Sequence, residues 1–309
     1  MTQARKAISV SPAQRITAAI IEKLEEGTKP WVQPWRGLPV SRPLRFCGTP
    51  YRGMNTFWLW LVADSAGFAS PYWMTYRQCQ KLGGQVRKGE KSTIAIFYKS
   101  YTKEVETADG EETSENRRVL KSYSIFNADQ CNGLPELYHP KPPVAAVEPE
   151  GREERLDRFF AGVGANLRHQ GAQAYYEPSL DRVTMPPTEL FDAYPHYYAT
   201  LAHELSHWTG HSSRLDRDLK NRFGSHAYAA EELIAELSSA ILGAELGLPV
   251  PHLDHHASYI ASWLKILKED ERAILTAAAK AEEAASLLLS LGGYLADRES
   301  PDLDLANAA

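Results

Sequence analysis

Cysteine is scarce: Cys47, Cys79 and Cys131 are the only three in 309 residues, and no two stand in a Cys-x-x-Cys pair. An odd, scattered set excludes a disulfide framework and a thiolate zinc cluster, and it points to a reducing cytoplasm. Long hydrophobic runs are also missing. The most apolar later stretch, Ser286 to Leu295, falls far short of the roughly 20 residues that span a bilayer. Met1 to Val10 has no apolar core of the signal-peptide kind, so no membrane partner is expected. Acid is nearly absent from one region, where residues 27–103 set Asp64 and Glu90 against 12 Lys+Arg.

What is present is unevenly distributed. The net charge of -5 divides into 19 Lys+Arg against 12 Asp+Glu in residues 1–130, and 15 against 27 in residues 131–309. The basic part also holds Trp31, Trp35, Trp58, Trp60 and Trp73, five of the seven tryptophans. With 43% hydrophobic residues, the chain has material for two domains at roughly 150 residues each.

Periodicity gives a coarse α+β reading. Ser11 to Glu26 carries a helical apolar stripe, followed by a Pro- and Trp-rich loop and helices over Asn55–Ser65 and Thr75–Leu82. Thr93–Tyr101 and Val119–Phe126 read as strands, separated by an acidic, turn-forming tip from Glu104 to Asn116. Five prolines between 131 and 151 mark a linker. Beyond it come a helix (Glu153–Leu167), short strands (Ala172–Tyr176 and Arg182–Met185) and a series of helices, the last over Ser258–Leu291. The domains are therefore expected at 1–130 and 152–298, a small mixed unit and a mostly helical unit with a short sheet, ahead of a disordered tail at 299–309.

His203-Glu204-Leu205-Ser206-His207 is the sharpest motif. On a helix, residues at i and i+4 share a face, so both imidazoles can reach one Zn2+ or other divalent ion, and Glu204 between them can act as general base. For a third ligand two patterns compete. The metzincin pattern continues to Gly210 but has Ser213 where its third histidine belongs, and His211, rotated away, becomes a local or substrate-facing residue. The segment Glu231 to Glu236 resembles the second ligand element of thermolysin-like gluzincins. That resemblance implies Glu232 as ligand and Glu236 as the carboxylate orienting a ligand histidine. His211, His226, Tyr228 and Tyr259 are candidate donors to an oxyanion, and Arg182–Met185 is a candidate edge strand for an extended peptide.

Several stretches occur together with this motif: Gly27 to Trp31 with Pro34-Trp35, Tyr51 to Asn55, Tyr72 to Gln78, Gly83 to Lys91, Trp208 to His211, and Tyr228 to Glu236. In this order they resemble the ArdC-type antirestriction proteins over nearly the whole chain. The resemblance implies an N-terminal domain that binds single-stranded DNA, a C-terminal zincin-like metallopeptidase domain, and a role in plasmid conjugation. The protein substrate is not legible in the sequence, and host restriction-system proteins are a candidate.

The residues support a nucleic-acid reading independently. Trp31, Trp35, Tyr51, Trp73 and Tyr76 lie in loops or at helix edges beside Lys29, Arg36, Arg52 and Arg77, the interleaving that stacks bases and tracks a backbone. Asn55 belongs to the same motif as Tyr51. Arg87, Lys88 and Lys91 form a basic turn around Gly89, suited to phosphates. Trp58 and Trp60 sit in an apolar helix and read as core. No zinc finger, homeodomain-like helix or RRM signature is present, so binding is expected to tolerate any sequence. A coating protein with an idle or structural metal site is the competing reading. A nuclease is disfavoured, since nucleases use carboxylate-rich, often two-metal sites.

Overall fold

The computed structural model describes residues 10–31, 41–106, 112–139, 151–219, 225–248 and 256–294. Its class is α+β, as expected. Ser11 opens helix α1 (Pro12–Glu25) with a reciprocal capping box to Gln14, and α1 buries Ile16, Ile20 and Leu24. Strand β1 (Leu44–Arg45) leads to α2 (Met54–Ala66), which is covered on nearly all sides and so lacks the polar stripe of a surface helix. Strand β2 (Tyr72–Met74), helix α3 (Tyr76–Lys81) and strand β3 (Gln85–Val86) follow.

Strands β4 (Thr93–Glu106) and β5 (Glu112–Asn127) make a long antiparallel ribbon, and β6 (Cys131–Asn132) returns to pair with β3. Much of the acidic segment expected to be a hairpin tip continues the ladder, as far as Glu106 opposite Glu112. The ladder is made by backbone groups, so a charged composition that suggests a turn does not by itself end a strand. Residues 131–138, placed in the linker for their proline content, instead pack down: Tyr138 is buried beside Met74 and Cys79. The rest of that linker (140–150), the tip at 107–111 and the tail lie outside the described residues.

In the second half, α4 (Arg152–Val163) stops at Gly164, whose φ of 74° breaks the helix short of Leu167. Strands β7 (Asn166–His169), β8 (Tyr175–Glu177) and β9 (Arg182–Met185) assemble in the order β7-β9-β8. Arg182–Met185 is thus the central strand, not the expected edge. It is the most buried of the three, and β8 takes the edge. Helices α5 (Tyr194–Trp208), α6 (His226–Leu246), α7 (His256–Glu269) and α8 (Ala273–Leu291) complete the chain. The single helix expected over Ser258–Leu291 is broken between α7 and α8. There Asp270 accepts the Arg272 N–H, and the Glu271 carbonyl accepts Thr17 Oγ1 of α1 at 2.6 Å.

One continuous apolar core joins the halves, running from Ile16, Phe57 and Trp73 to Leu205, Leu237 and Trp263. Helix α1 packs on α7, and α2 on α8. Among the described residues three buried ion pairs cross between the halves: Lys29 Nζ to Glu236 Oε1 at 2.9 Å, Arg42 Nη2 to Glu282 Oε2 at 2.7 Å and Arg42 Nη1 to Glu245 Oε1 at 3.6 Å. Among the described residues no helix is long and apolar enough to cross a membrane.

Candidate functional site

Helix α5 carries His203 and His207 on one face, and α6 packs against it with Glu232 buried between them. His203 Nε2 and His207 Nε2 face each other at 3.2 Å, and the Glu232 oxygens lie 3.6 Å and 3.7 Å from them. Two imidazoles bound tetrahedrally to one zinc ion at about 2.0–2.1 Å hold their nitrogens about 3.3 Å apart, so the donor set fits a metal, with the carboxylate side slightly open. Burial opposes charge on His207, but its hydrogen bond to Glu231 and the charges of Glu232, Glu231 and Glu204 outweigh it and raise the imidazole to about 9. Burial likewise opposes ionisation of Glu232, yet the bond to His203 and both imidazoles pull it down to about 2.

Behind the ligands the expected carboxylate is replaced by its neighbour on the other side. Glu236 accepts from Lys29, whereas Glu231 Oε1 lies 3.2 Å from His207 Nδ1. Position i+4 keeps Glu236 on the face of Glu232 but one turn further along α6, where it meets Lys29 of the first half. Arg217 then grips Glu231 with two bonds of 2.8 Å and 2.9 Å. The same guanidinium donates to Ser206 O and Thr209 Oγ1, satisfying the last turn of α5 as a cation suits a helix C-terminus. A Cβ on Gly210 would come within 2.9 Å of Arg217 Nη2 and 3.0 Å of His207 O, so glycine here leaves room for the arginine. Nothing in the spacing of Arg217 or Glu231 marks them. The only signal is the doubled acid of Glu231-Glu232.

Glu204 is buried, which raises its carboxyl above the usual range against the opposing charges of His203 and His207. It accepts a hydrogen bond from the Tyr176 backbone, so edge strand β8 faces the base. These groups line a cavity of about 770 Å³, with Tyr175 and Tyr176 at one wall and Tyr228 and Tyr259 at another. The two phenols lie 3.2 Å apart, and Tyr228 also bonds Glu232. Burial, that pairing and the Glu232 charge raise the Tyr228 hydroxyl. The other two candidate donors are elsewhere: His211 is tied to Ser213 Oγ at 2.8 Å, and His226 is paired with Glu269 at 3.4 Å, neither lining the cavity.

Three of the aromatics expected to stack on bases, Trp31, Tyr51 and Trp73, are core anchors in this structure. Trp31, Tyr51 and Trp73 are 2%, 2% and 1% exposed, and Trp31 meets Trp263 of α7 edge-on at 5.5 Å. Asn55 is buried too, bonding both the amide and the carbonyl of Ile96. Loop positions look accessible in sequence, but a small domain has few other large side chains with which to build its core. Arg52, Tyr76, Arg77, Arg87, Lys88 and Lys91 are exposed, and Arg87 is partly engaged with Glu90 at 2.6 Å. Trp35 and Arg36 lie outside the described residues.

Residues 154–280 match a family model described as a zincin-like metallopeptidase, and residues 11–126 match the N-terminal domain of the anti-restriction factor ArdC. The metal-free crystal structure of the antirestriction ArdC protein from plasmid R388 matches with a TM-score of 0.78 at 45% identity, over 92% of this chain and 98% of that one. The chain belongs to the ArdC antirestriction family. The Mn(II)-bound structure of the R388 ArdC protein matches with a TM-score of 0.76 at 44% identity, over 91% of this chain and 98% of that one. Protein y4eC of Sinorhizobium fredii is 43% identical over 88% of this chain and 89% of its own length. A DNA primase TraC of Escherichia coli is 40% identical over 90% of this chain, which spans only 27% of that longer protein.

Proposed function

We propose that this ArdC-family chain is a cytoplasmic antirestriction protein of plasmid conjugation that binds single-stranded DNA through its N-terminal half and hydrolyses peptide bonds at a zinc site in its C-terminal half. The observation that carries the hydrolytic reading is Glu204, a buried carboxylate on the cavity wall beside His203, His207 and Glu232. A merely structural metal site has no use for a base next to its ligands. His203, His207 and Glu232 would hold the ion, and the Mn(II)-bound R388 relative supports a divalent metal. Bound there, it supplies Lewis-acid activation of a water and of the scissile carbonyl. Glu204 takes the proton of the attacking water and passes it to the leaving amine. Tyr228 and Tyr259 donate to the carbonyl oxygen as charge develops on it. The exposed edge of β8 supports an extended peptide by strand addition.

For the DNA-binding half, the exposed cations Arg52, Arg77, Arg87, Lys88 and Lys91 supply sequence-tolerant phosphate contacts, and affinity falls steeply with salt. The coating alternative, protection without cleavage, is favoured by the recurrence of this unit inside proteins named DNA primase. Replacing Glu204 by Gln separates the two readings. Metal content by elemental analysis should stay at the wild-type level while proteolysis of restriction-enzyme components is lost. Antirestriction that survives the change supports coating.

A further inference from the structure

Single strands are distinguished from duplex by their open base faces, so a single-strand binder needs exposed aromatic rings as well as cations. Of the rings expected to serve, Trp31, Tyr51 and Trp73 are buried. Among the described residues of the basic half, the exposed aromatics are Tyr76, Phe97 and Tyr98. Tyr76 is engaged, its hydroxyl accepting from Gln85 Nε2 at 2.9 Å and its ring set edge-on to Phe126.

Phe97, 44% exposed, stands on the β4–β5 ribbon. Cross-strand partners point to the same side, and the register places Ala95 opposite Tyr123, Phe97 opposite Lys121 and Lys99 opposite Val119. Aromatic and cationic positions therefore share one face, and no carboxylate stands among the pairs from Ala95 to Lys99. Toward the body the Phe97 ring meets Tyr123 edge-on at 5.8 Å, and Tyr123 is hydrogen-bonded to Tyr51. The Arg45 guanidinium lies 4.9 Å over the Tyr51 ring. Arg45, Lys99 and Lys121 are all exposed. The base of the ribbon is held rigidly, with Asn55 bracketing Ile96 by two bonds of 2.8 Å and Trp58 Nε1 donating to Ile94 O at 2.9 Å.

We infer that this face, running from Arg45 through Tyr123 and Phe97 to Lys121 and Lys99, is the track for single-stranded DNA, with bases stacking on Phe97 and Tyr123 and phosphates meeting the three cations. The inference rests on the single-strand-binding reading above. Charge complementarity selects a polyanion, and the exposed ring selects one with unpaired bases.

The test is anisotropy of a labelled oligo(dT) with the full chain. Phe97→Leu keeps the apolar bulk but removes the π-face, and should weaken binding roughly 5- to 150-fold, whereas Phe97→Tyr should bind like wild type. The pair Lys99→Ala and Lys121→Ala should lower the slope of log affinity on log salt by about 1.4, since each single-strand phosphate contact contributes about 0.7. Phe97 is solvent-facing, so the thermal midpoints should match wild type. Wild-type affinity in Phe97→Leu, with an unchanged salt slope in the lysine pair, overturns this face and leaves the DNA-binding reading intact. A wild-type chain that does not bind oligo(dT) overturns both.

Discussion

Arg217 links three functions in one side chain: it closes the last turn of α5, passes the Gly210 backbone and holds Glu231 against His207. Partners of this kind fix the tautomer and aim of a metal-binding imidazole, and their loss typically costs 10- to 100-fold in metal affinity. Glu231→Gln is the milder probe, because it keeps the shape and removes the charge. The expected outcome is metal binding weakened by about tenfold or more, read by competition against a chelating dye, with little change in the unfolding midpoint. Arg217→Met should weaken metal binding further and also lower the midpoint, since it removes one of the two donors to Ser206 O and the donor to Thr209 Oγ1. His203, Glu204 and His207 were legible in sequence because their spacing is the helix period itself. Arg217 was not, because it reaches the site from an irregular segment in which no period operates. Glu236 misled for a related reason. Spacing tells which residues share a helix face but not which neighbour that face meets.

Helix α6 carries both the ligand-position Glu232 and the contact with the first half. One turn beyond Glu232, Glu236 accepts from Lys29, whose ammonium also lies 5.6 Å over the Trp263 ring of α7. Burial holds the Lys29 amine below its ordinary range, against the pull of the Glu236 charge. A pair of this kind is costly to break singly, about 3–5 kcal/mol, and cheap to replace as a unit. Lys29→Met should therefore destabilise the fold by about 3–5 kcal/mol in urea titration, and Lys29→Met with Glu236→Leu should recover most of that loss. If the single and double variants are equally unstable, the pair does not hold α6. Most helices were legible as elements, with α1 and α3 marked at both ends by their caps and stops. The break between α7 and α8 was not, because its Ala-, Leu- and Glu-rich sequence is helix-forming throughout and the turn is held by Thr17, more than 250 residues away. The β8 and β9 roles were exchanged for the same reason: which strand lies at an edge depends on β7, a four-residue strand with no apolar alternation to betray it.

At the scale of the whole molecule, the charge asymmetry that divides the sequence also joins the fold. Lys29 and Arg42 belong to the basic half, yet both are buried on carboxylates of the acidic half, so part of the positive excess serves the internal interface and not a ligand. Composition could show the excess but not its division, because burial is a property of the assembled chain. A core continuous from α1 and α2 to α7 and α8 implies that the halves unfold together, although they correspond to two separate family models. Two-state behaviour then predicts coincident urea transitions by tryptophan fluorescence, weighted toward the first half, and by far-UV circular dichroism, weighted toward the helices of the second. Metal makes the test sharper. An ion that binds only the native chain stabilises it by about 2.7 kcal/mol at a hundred times its dissociation constant. In a coupled molecule both signals should shift by that same amount, even though the β4–β5 ribbon lies outside the metal site. A metal-sensitive transition followed or preceded by an insensitive one would show instead that the shared core contributes too little to bind the halves energetically, and that DNA occupancy could not influence the metal site through the fold.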